Sequence, residues 1–451
     1  MTRDLRDILL IAYHFPPIGG SGVQRVLKLA RYLPQFGWRA HVVCCGHTQY
    51  PLLDRSLTSE GSDDVKVYRT RGLEPGGIAA SMTMSGPVGP AFAKRLEDGL
   101  SWRLQKMLSR TPLPEHELLW LPAAIRQARQ VAENHSIEAI ITSGPPHCTH
   151  WVGESLKRRL GLPWIADLRD PILDNWARTS EGAWRKRYWQ WLERAVASRA
   201  DRVVVTCPEA GQSLIERYTT LADDSVQFIL NGFDPEDAPQ FAPRKNRQTF
   251  HLAHVGAFYR EQSVGPILDA IRIVRQRCDD VRTALRFDLI GSLSAQQRAL
   301  IQTQDSAFLN HVGYLPHADA TAAMASADAL VLMTPSNSVG RLCIPAKTFE
   351  YLAFGKHIIA MVHPETMLAR MLAEAGNTSV IHNRDPELLA DAIQVCFEDW
   401  RAGRPQASRR SSIVNQFRRD HQVQEFSELL EDCAAQRPRL RLVRGDVEAV
   451  A

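Results

Sequence analysis

The chain has 451 residues, more than one compact hydrophobic core accommodates, so two or three domains are expected. With 44% hydrophobic and 23% charged residues it reads as a globular enzyme, not a disordered chain. A formal net charge of +4 falls short of a nucleic-acid-binding signature, and eight cysteines with no C-x-x-C spacing argue against a zinc motif, a redox motif or a disulfide framework.

In chain order, Ile8–Ala12 (ILLIA) predicts a buried strand, followed by the loop Tyr13–Gly22 (YHFPPIGGSG). A helix is expected over about Val23–Phe36, where Val23, Val26, Leu27, Ala30 and Leu33 recur at helical spacing before Gly37 stops it. A strand at Ala40–Cys44 completes a βαβ unit, which implies a parallel sheet. The rhythm resumes with strand Ala139–Thr142, helix Cys148–Leu160 ending at Gly161, and strands Trp164–Asp167, Arg202–Thr206 and Val226–Leu230. Gly76–Pro122 breaks it, mixing Gly, Pro and Met around a helix-like Leu96–Leu108, and reads as an insertion over one face.

Asp234–Thr249 is polar and proline-containing, as a linker would be. A second α/β series follows, with strands at Leu252–Val255, Phe287–Ile290, Ala329–Met333 and Ile358–Met361 and a helix at Ala346–Phe354 closed by Gly355. Pro386–Trp400 begins a closing helical region that ends near Ala435. The expected architecture is α/β, with two Rossmann-like domains across a cleft: residues 1–235 (insertion about 76–122) and 249–400. Residues 401–435 form closing helices and 436–451 a tail. No apolar run approaches the roughly 18 residues of a spanning helix, and charged Met1–Asp7 before the short run Ile8–Ala12 is not a signal peptide. A cytoplasmic protein is expected.

Ligands of such sheets bind beyond the carboxyl ends of the strands, so the loops there are informative. Gly19-Gly20-Ser21-Gly22 lets backbone approach an anion at a helix N-terminus, although a short glycine loop also serves simple turn geometry. A dinucleotide fingerprint fails twice: Arg25 stands where a third glycine is needed, and the second strand runs into Cys44-Cys45-Gly46-His47 without an acid. A Walker A loop is absent. Two further strands run into polar loops, IITSGPPHCTH and PWIADLRDP, bringing His147, His150, Asp167, Arg169 and Asp170 toward the crevice. The bland alternative is a capping Asp167, an Arg169–Asp170 pair and solvated histidines. In IPAKTFEYLAFGKHII, Pro345 can open a helix that sets Lys347 and Glu350 on one face, either as phosphate and ribose ligands or as a surface pair. Trp184–Trp191 (WRKRYWQW) suits a membrane interface or an ordinary amphipathic helix packing its tryptophans inward.

Taken together, HFPPIGGSGVQR, SGPPHCTHWVG, PWIADLRDP, NGFD, HVGAFYR and PAKTFEYLAFGK occur in an order that resembles the retaining family-four glycosyltransferases of the GT-B fold, particularly those of bacterial surface polysaccharide assembly. The resemblance implies a nucleotide donor on the second domain, an acceptor on the first, and closing helices that return to the first domain. It places Glu350 as the ribose-binding glutamate and Gly19–Gly22 near the donor phosphates. A basic pair is expected in the loop Gly256–Ser263, where Arg260 supplies one cation but the lysine position falls on Gln262 or Ser263. A second family glutamate is replaced by Leu342, with Arg341 beside it.

The expected mechanism stabilises a departing nucleoside diphosphate with Arg260, Lys347 and the helix starting near Pro345. Asp167, His147 or His150 would orient the acceptor hydroxyl. No D-x-D triplet occurs, so a metal-independent route without cofactor is expected. The expected partners are a UDP- or GDP-linked sugar and a glycan or lipid-linked acceptor, with contact at the inner face of the cell membrane and no nucleic acid. A GT-B-like sugar-nucleotide epimerase and a non-catalytic homologue are the alternatives.

Overall fold

The computed structural model describes residues 5–46, 53–54, 56–57, 64–72, 113–175, 178, 181–219, 221–237, 248–256, 258, 262–302, 307–335, 338–382, 384–404 and 411–435. The first sheet contains β1 (Arg6–Ala12), β2 (Trp38–Cys45), β3 (Lys66–Thr70), β4 (Ile137–Gly144), β5 (Trp164–Leu168), β6 (Arg202–Val205) and β7 (Val226–Phe228). Their spatial order is β3-β2-β1-β4-β5-β6-β7, and every pairing is parallel. The second sheet contains β8 (Phe250–Val255), β9 (Leu285–Ile290), β10 (Leu309–Gly313), β11 (Ala329–Met333), β12 (His357–Met361) and β13 (Thr378–Ile381). It is again all parallel, in the order β10-β9-β8-β11-β12-β13. These are two Rossmann-like domains, the fold class expected from the sequence.

The central strands read as unbroken apolar runs because helices cover both faces of a parallel sheet. All five residues of β5 and of β11 are buried. Three strands escaped the sequence reading: β3, β10 and β13, each at a sheet edge. An edge strand has a neighbour on one side only, so it needs no continuous apolar run, and β3 and β10 are accordingly polar and largely exposed.

The first helix runs Ser21–Tyr32, and Pro34 tightens the expected continuation into a 3-10 turn at Leu33–Phe36. A helix at Leu121–Asn134 begins inside the stretch read as an insertion, and it buries Ala124, Ala128 and Val131 against the first sheet. Residues 76–112 of that stretch, and the expected tail 436–451, lie outside the described residues.

The chain returns to its first domain. The Phe417 carbonyl accepts from Phe233 N–H at 3.1 Å, and Arg419 N–H donates to the Phe233 carbonyl at 3.0 Å. Gly232 is required there, since a Cβ would run into the Phe417 carbonyl and the Gln422 amide. Helix Arg419–Ala435 then lays Val423, Phe426, Leu430 and Cys433 into the first-domain core beside Leu29 and Leu33. Each large apolar side chain buried this way contributes about 1.5–3 kcal/mol. Lys28, only 1% exposed, fixes the same junction by pairing with Asp234 at 2.7 Å.

Candidate active-site cleft

On the first-domain side the polar groups at the strand ends bind one another. Asp167 is the penultimate residue of β5 and is fully buried. It accepts from Arg25 Nη2 at 2.9 Å and from Ser143 Oγ at 2.7 Å. Arg25, from the first helix, also donates to the carbonyls of Leu230 (2.8 Å) and Ile229 (3.0 Å). The residue that rules out a dinucleotide fingerprint thus ties the glycine-loop helix to the sheet.

Arg169 donates to the carbonyls of Gly22, Gly144 and Pro145, bracing the Gly19–Gly22 loop against the loop after β4. Asp170 sits beside it, and burial raises its carboxyl pKa against the pull of Arg169 and Arg178. Glu115 accepts the backbone N–H groups of His147 (2.8 Å) and Cys148 (2.7 Å), where the next helix begins. Burial pushes its carboxyl up to about 7, although Arg178 and those N–H groups oppose this.

His147 and His150 are both fully buried. His150 Nδ1 lies 2.8 Å from Thr142 Oγ1, and burial holds this imidazole down near 3. His147 is likewise held well below the ordinary range, by burial first and Arg178 second. Neither histidine nor Asp167 presents surface to the cleft. They are buried among the loops that line it.

Across the cleft, Lys347 opens helix Lys347–Ala353, and Pro345 precedes it. His254 in β8 has one nitrogen, Nδ1, 2.9 Å from the Val331 carbonyl, which can only accept. That contact makes Nδ1 the protonated nitrogen and leaves Nε2 to accept from Lys347 Nζ at 3.0 Å. Burial lowers the Lys347 amine to about 7, with Glu350 opposing the shift. Gly256 sits at φ +131°, and a Cβ there would stand 2.9 Å from Lys347 Nζ, so glycine is what leaves room for the ammonium.

Glu350 lies three residues on, partly buried. No hydrogen bond or salt bridge among the described residues engages its carboxylate. Burial raises its pKa, against the opposing charges of His317 and Arg419.

His317 is where the two sides meet. Its backbone N–H donates to Asp54 Oδ2 of the first domain at 2.9 Å, and its Nε2 lies 3.1 Å from Asp237 Oδ2. Burial opposes protonation of this ring, but Asp237 and Glu350 prevail and its pKa is raised. Beside it, Tyr314 Oη would lie 2.7 Å from a Cβ on Gly19, so the glycine loop abuts the second domain directly.

The remaining expected residues separate. Gly20 has φ +106° and Ser21 begins the helix, as a tight loop-to-helix entry requires. Arg341 is exposed, with Nη2 2.5 Å from His363 Nε2 and Nη1 3.7 Å from Glu365, pointing to the loop after β12. Leu342 packs against the second-domain core. Gln262 is buried, donating to the Met333 carbonyl at 3.0 Å, while Ser263 Oγ accepts Gly265 N–H at 3.1 Å. Neither stands in for a phosphate-binding lysine. Arg260 lies outside the described residues.

His254, His317, Arg25 and Glu115 were not picked out as site residues by sequence reasoning. Arg25 and Lys28 left no signal, because both fall on the side of the first helix away from the apolar stripe of Val23, Val26, Leu27 and Ala30, where a charge is ordinary. His317 left a weak one, since Pro316-His317 follows a strand and opens a helix.

The described residues contain no helix long and apolar enough to cross a membrane. Residues 19–232 match the family described as "Glycosyl transferase 4-like domain" and residues 249–399 match "Glycosyl transferases group 1". A probable glycosyltransferase WbjE of Pseudomonas aeruginosa is 25% identical over 260 residues, a match spanning 54% of this chain and 62% of that relative's length. Among solved structures, sucrose-phosphate synthase from Thermosynechococcus elongatus superposes with a TM-score of 0.67 at 18% identity, covering 95% of this chain and 99% of that one. HepE from Anabaena, in complex with UDP and glucose, gives 0.61 at 15% identity, covering 94% and 99%. With both domains matched in order across the two sheets, the chain belongs to the family-four glycosyltransferases of the GT-B fold.

Proposed function

We propose that this chain moves a sugar from a nucleotide-sugar donor to a glycan or lipid-linked acceptor in polysaccharide or glycoconjugate biosynthesis, with retention and without a metal. The observation that carries the reading is Glu350, whose carboxylate stays uncommitted among the described residues, beside the Lys347–His254 pair and His317 where the domains meet. A carboxylate of this kind suits the paired hydroxyls of a ribose, and Lys347 with Arg260 suits the departing diphosphate. UDP-linked donors come first, because the HepE structures hold UDP and UDP-glucose; GDP-linked donors are second.

A lipid-linked acceptor gains support from helix Ala183–Arg199. Trp189 is buried, whereas Trp184 and Trp191 are 46% and 60% exposed on the helix face that also carries exposed Arg187. Aromatic and basic side chains on one exposed surface suit an anionic bilayer interface. Flotation with anionic liposomes, lost in a Trp184→Ser/Trp191→Ser variant, is the expected result; no flotation of the wild type removes the membrane from the proposal.

The central test is a thermal-shift panel of UDP, GDP, ADP, NAD and their sugar conjugates on wild type and Glu350→Ala. A ligand at about 100 times its Kd stabilises by roughly 2.7 kcal/mol. A shift with UDP or GDP compounds that disappears in Glu350→Ala supports the donor site, and anomeric analysis of the product then tests retention. A shift with NAD alone, or none, sinks the reading.

One observation favours a second reading, a non-catalytic sugar-nucleotide binder: Leu342 and Gln262 occupy packed, committed positions where the family resemblance implies an acid and a lysine. Donor binding without turnover on any acceptor would select it. An epimerised nucleotide sugar formed without acceptor would indicate the epimerase.

A further inference from the structure

At the amino ends of the first-sheet strands, away from the cleft at their carboxyl ends, Asp7 of β1, His41 of β2 and His135 meet. His135 caps helix Leu121–Asn134 and stands two residues before Ile137, which pairs with Asp7 across the sheet. One potential ligand atom from each of the three residues lies within 4.8 Å of the other two. The two imidazole centroids are 4.2 Å apart. His41 is 1% exposed, and its Nε2 stands 3.1 Å from Asp7 Oδ1 yet has no hydrogen-bond partner of acceptable geometry.

We propose that Asp7, His41 and His135 form a site for one divalent cation of the zinc class, with water completing the coordination. Two imidazoles and a carboxylate are the donor set such ions take, and three protein ligands leave an open position. The surroundings agree. Tyr68 Oη of β3 lies 3.1 Å from His41 Nδ1 and 3.1 Å from His135 Nε2, so one phenol oxygen orients both rings, as outer-shell partners of metal-bound histidines do. Arg39 is the competing cation, with Nη1 3.4 Å from Asp7 Oδ1 at a half-exposed position. A divalent ion would displace that long contact.

The ion would tie two neighbouring strands, and the end of the helix that leads into a third, at a place where no described residue of the proposed donor site lies. Its expected effect is therefore on stability and not on transfer.

The test uses the full-length, tag-free chain. Co2+ is titrated by visible absorption, Zn2+ by competition and by the thermal midpoint, on wild type, Asp7→Asn, His135→Ala, Tyr68→Phe and His116→Ala. His135 is exposed, so its variant should fold, and exposed His116 is the control. The expected result is one Co2+ per chain with no thiolate charge-transfer band, displaced by Zn2+, and a raised midpoint. Binding should vanish in Asp7→Asn and His135→Ala, weaken roughly 10–100-fold in Tyr68→Phe, and persist in His116→Ala. No saturable binding, undiminished binding in His135→Ala, or a thiolate band placing the ion on cysteines would each overturn the proposal.

Discussion

On the first-domain wall of the cleft, Arg25, Asp167, Arg169 and Glu115 direct their hydrogen bonds to one another and to backbone groups. Across it, Glu350 leaves its carboxylate free and Lys347 holds a single neutral hydrogen-bond partner among the described residues. Both walls lie where the strands of a parallel sheet give way to loops and helices. What separates them is whether each charge already has its partners. A buried charge with every valence filled makes a rigid wall, whereas a partly buried charge with open valences is available to a ligand. A charged loop residue is therefore not in itself a sign of catalysis.

The sharpest way to break this comparison is Asp167→Ala. It strands Arg25 in the interior, and removing one member of a buried pair costs about 3–5 kcal/mol. We expect a large fall in the unfolding midpoint by calorimetry, and a midpoint near wild type would show that the first wall is not held by this pair. Glu350→Ala should do the reverse. Losing a charged hydrogen-bond partner is worth about 1.5–3 kcal/mol, so donor KM rises roughly 10–100-fold while the midpoint in the absence of ligand stays close to wild type. Destabilisation with unchanged KM would move Glu350 to the structural side.

Lys347 sharpens the contrast through pH. Its amine titrates near 7 in the folded chain, so it loses its charge as pH rises above that value. Donor affinity should fall by up to about tenfold per pH unit there, and Lys347→Met should flatten the profile. The folding effect has the opposite sign: between 7 and the ordinary 10.5 the unfolded chain binds more protons, so stability rises with pH.

The smallest effect belongs to His317. Its pKa is raised, so the stability it contributes is fully present below 6.5 and is lost as pH climbs through the raised value. For a partly exposed pair with Asp237 this amounts to about 1 kcal/mol or less, read as the difference between wild type and His317→Asn in urea titrations at pH 6 and 8.5.

The sequence by itself determined the parallel α/β class, the central strands and the helix stops at Gly37, Gly161 and Gly355, all three at positive φ. These follow from local rules: two-sided burial makes apolar runs, and glycine takes the left-handed conformation that ends a helix. The same logic pointed to the Gly19–Gly22 entry and to Lys347 and Glu350 on one helix. Tertiary structure alone decided that Asp167 answers Arg25, 142 residues away, and not a neighbour. It decided that Lys347 leans on His254, that the edge strands pair at all, and that Trp189 turns inward while Trp191 turns out. Strand order sets those partnerships by bringing distant segments side by side. No periodicity within a short window carries that information, because the energy that selects each partner arises only when the sheets have formed.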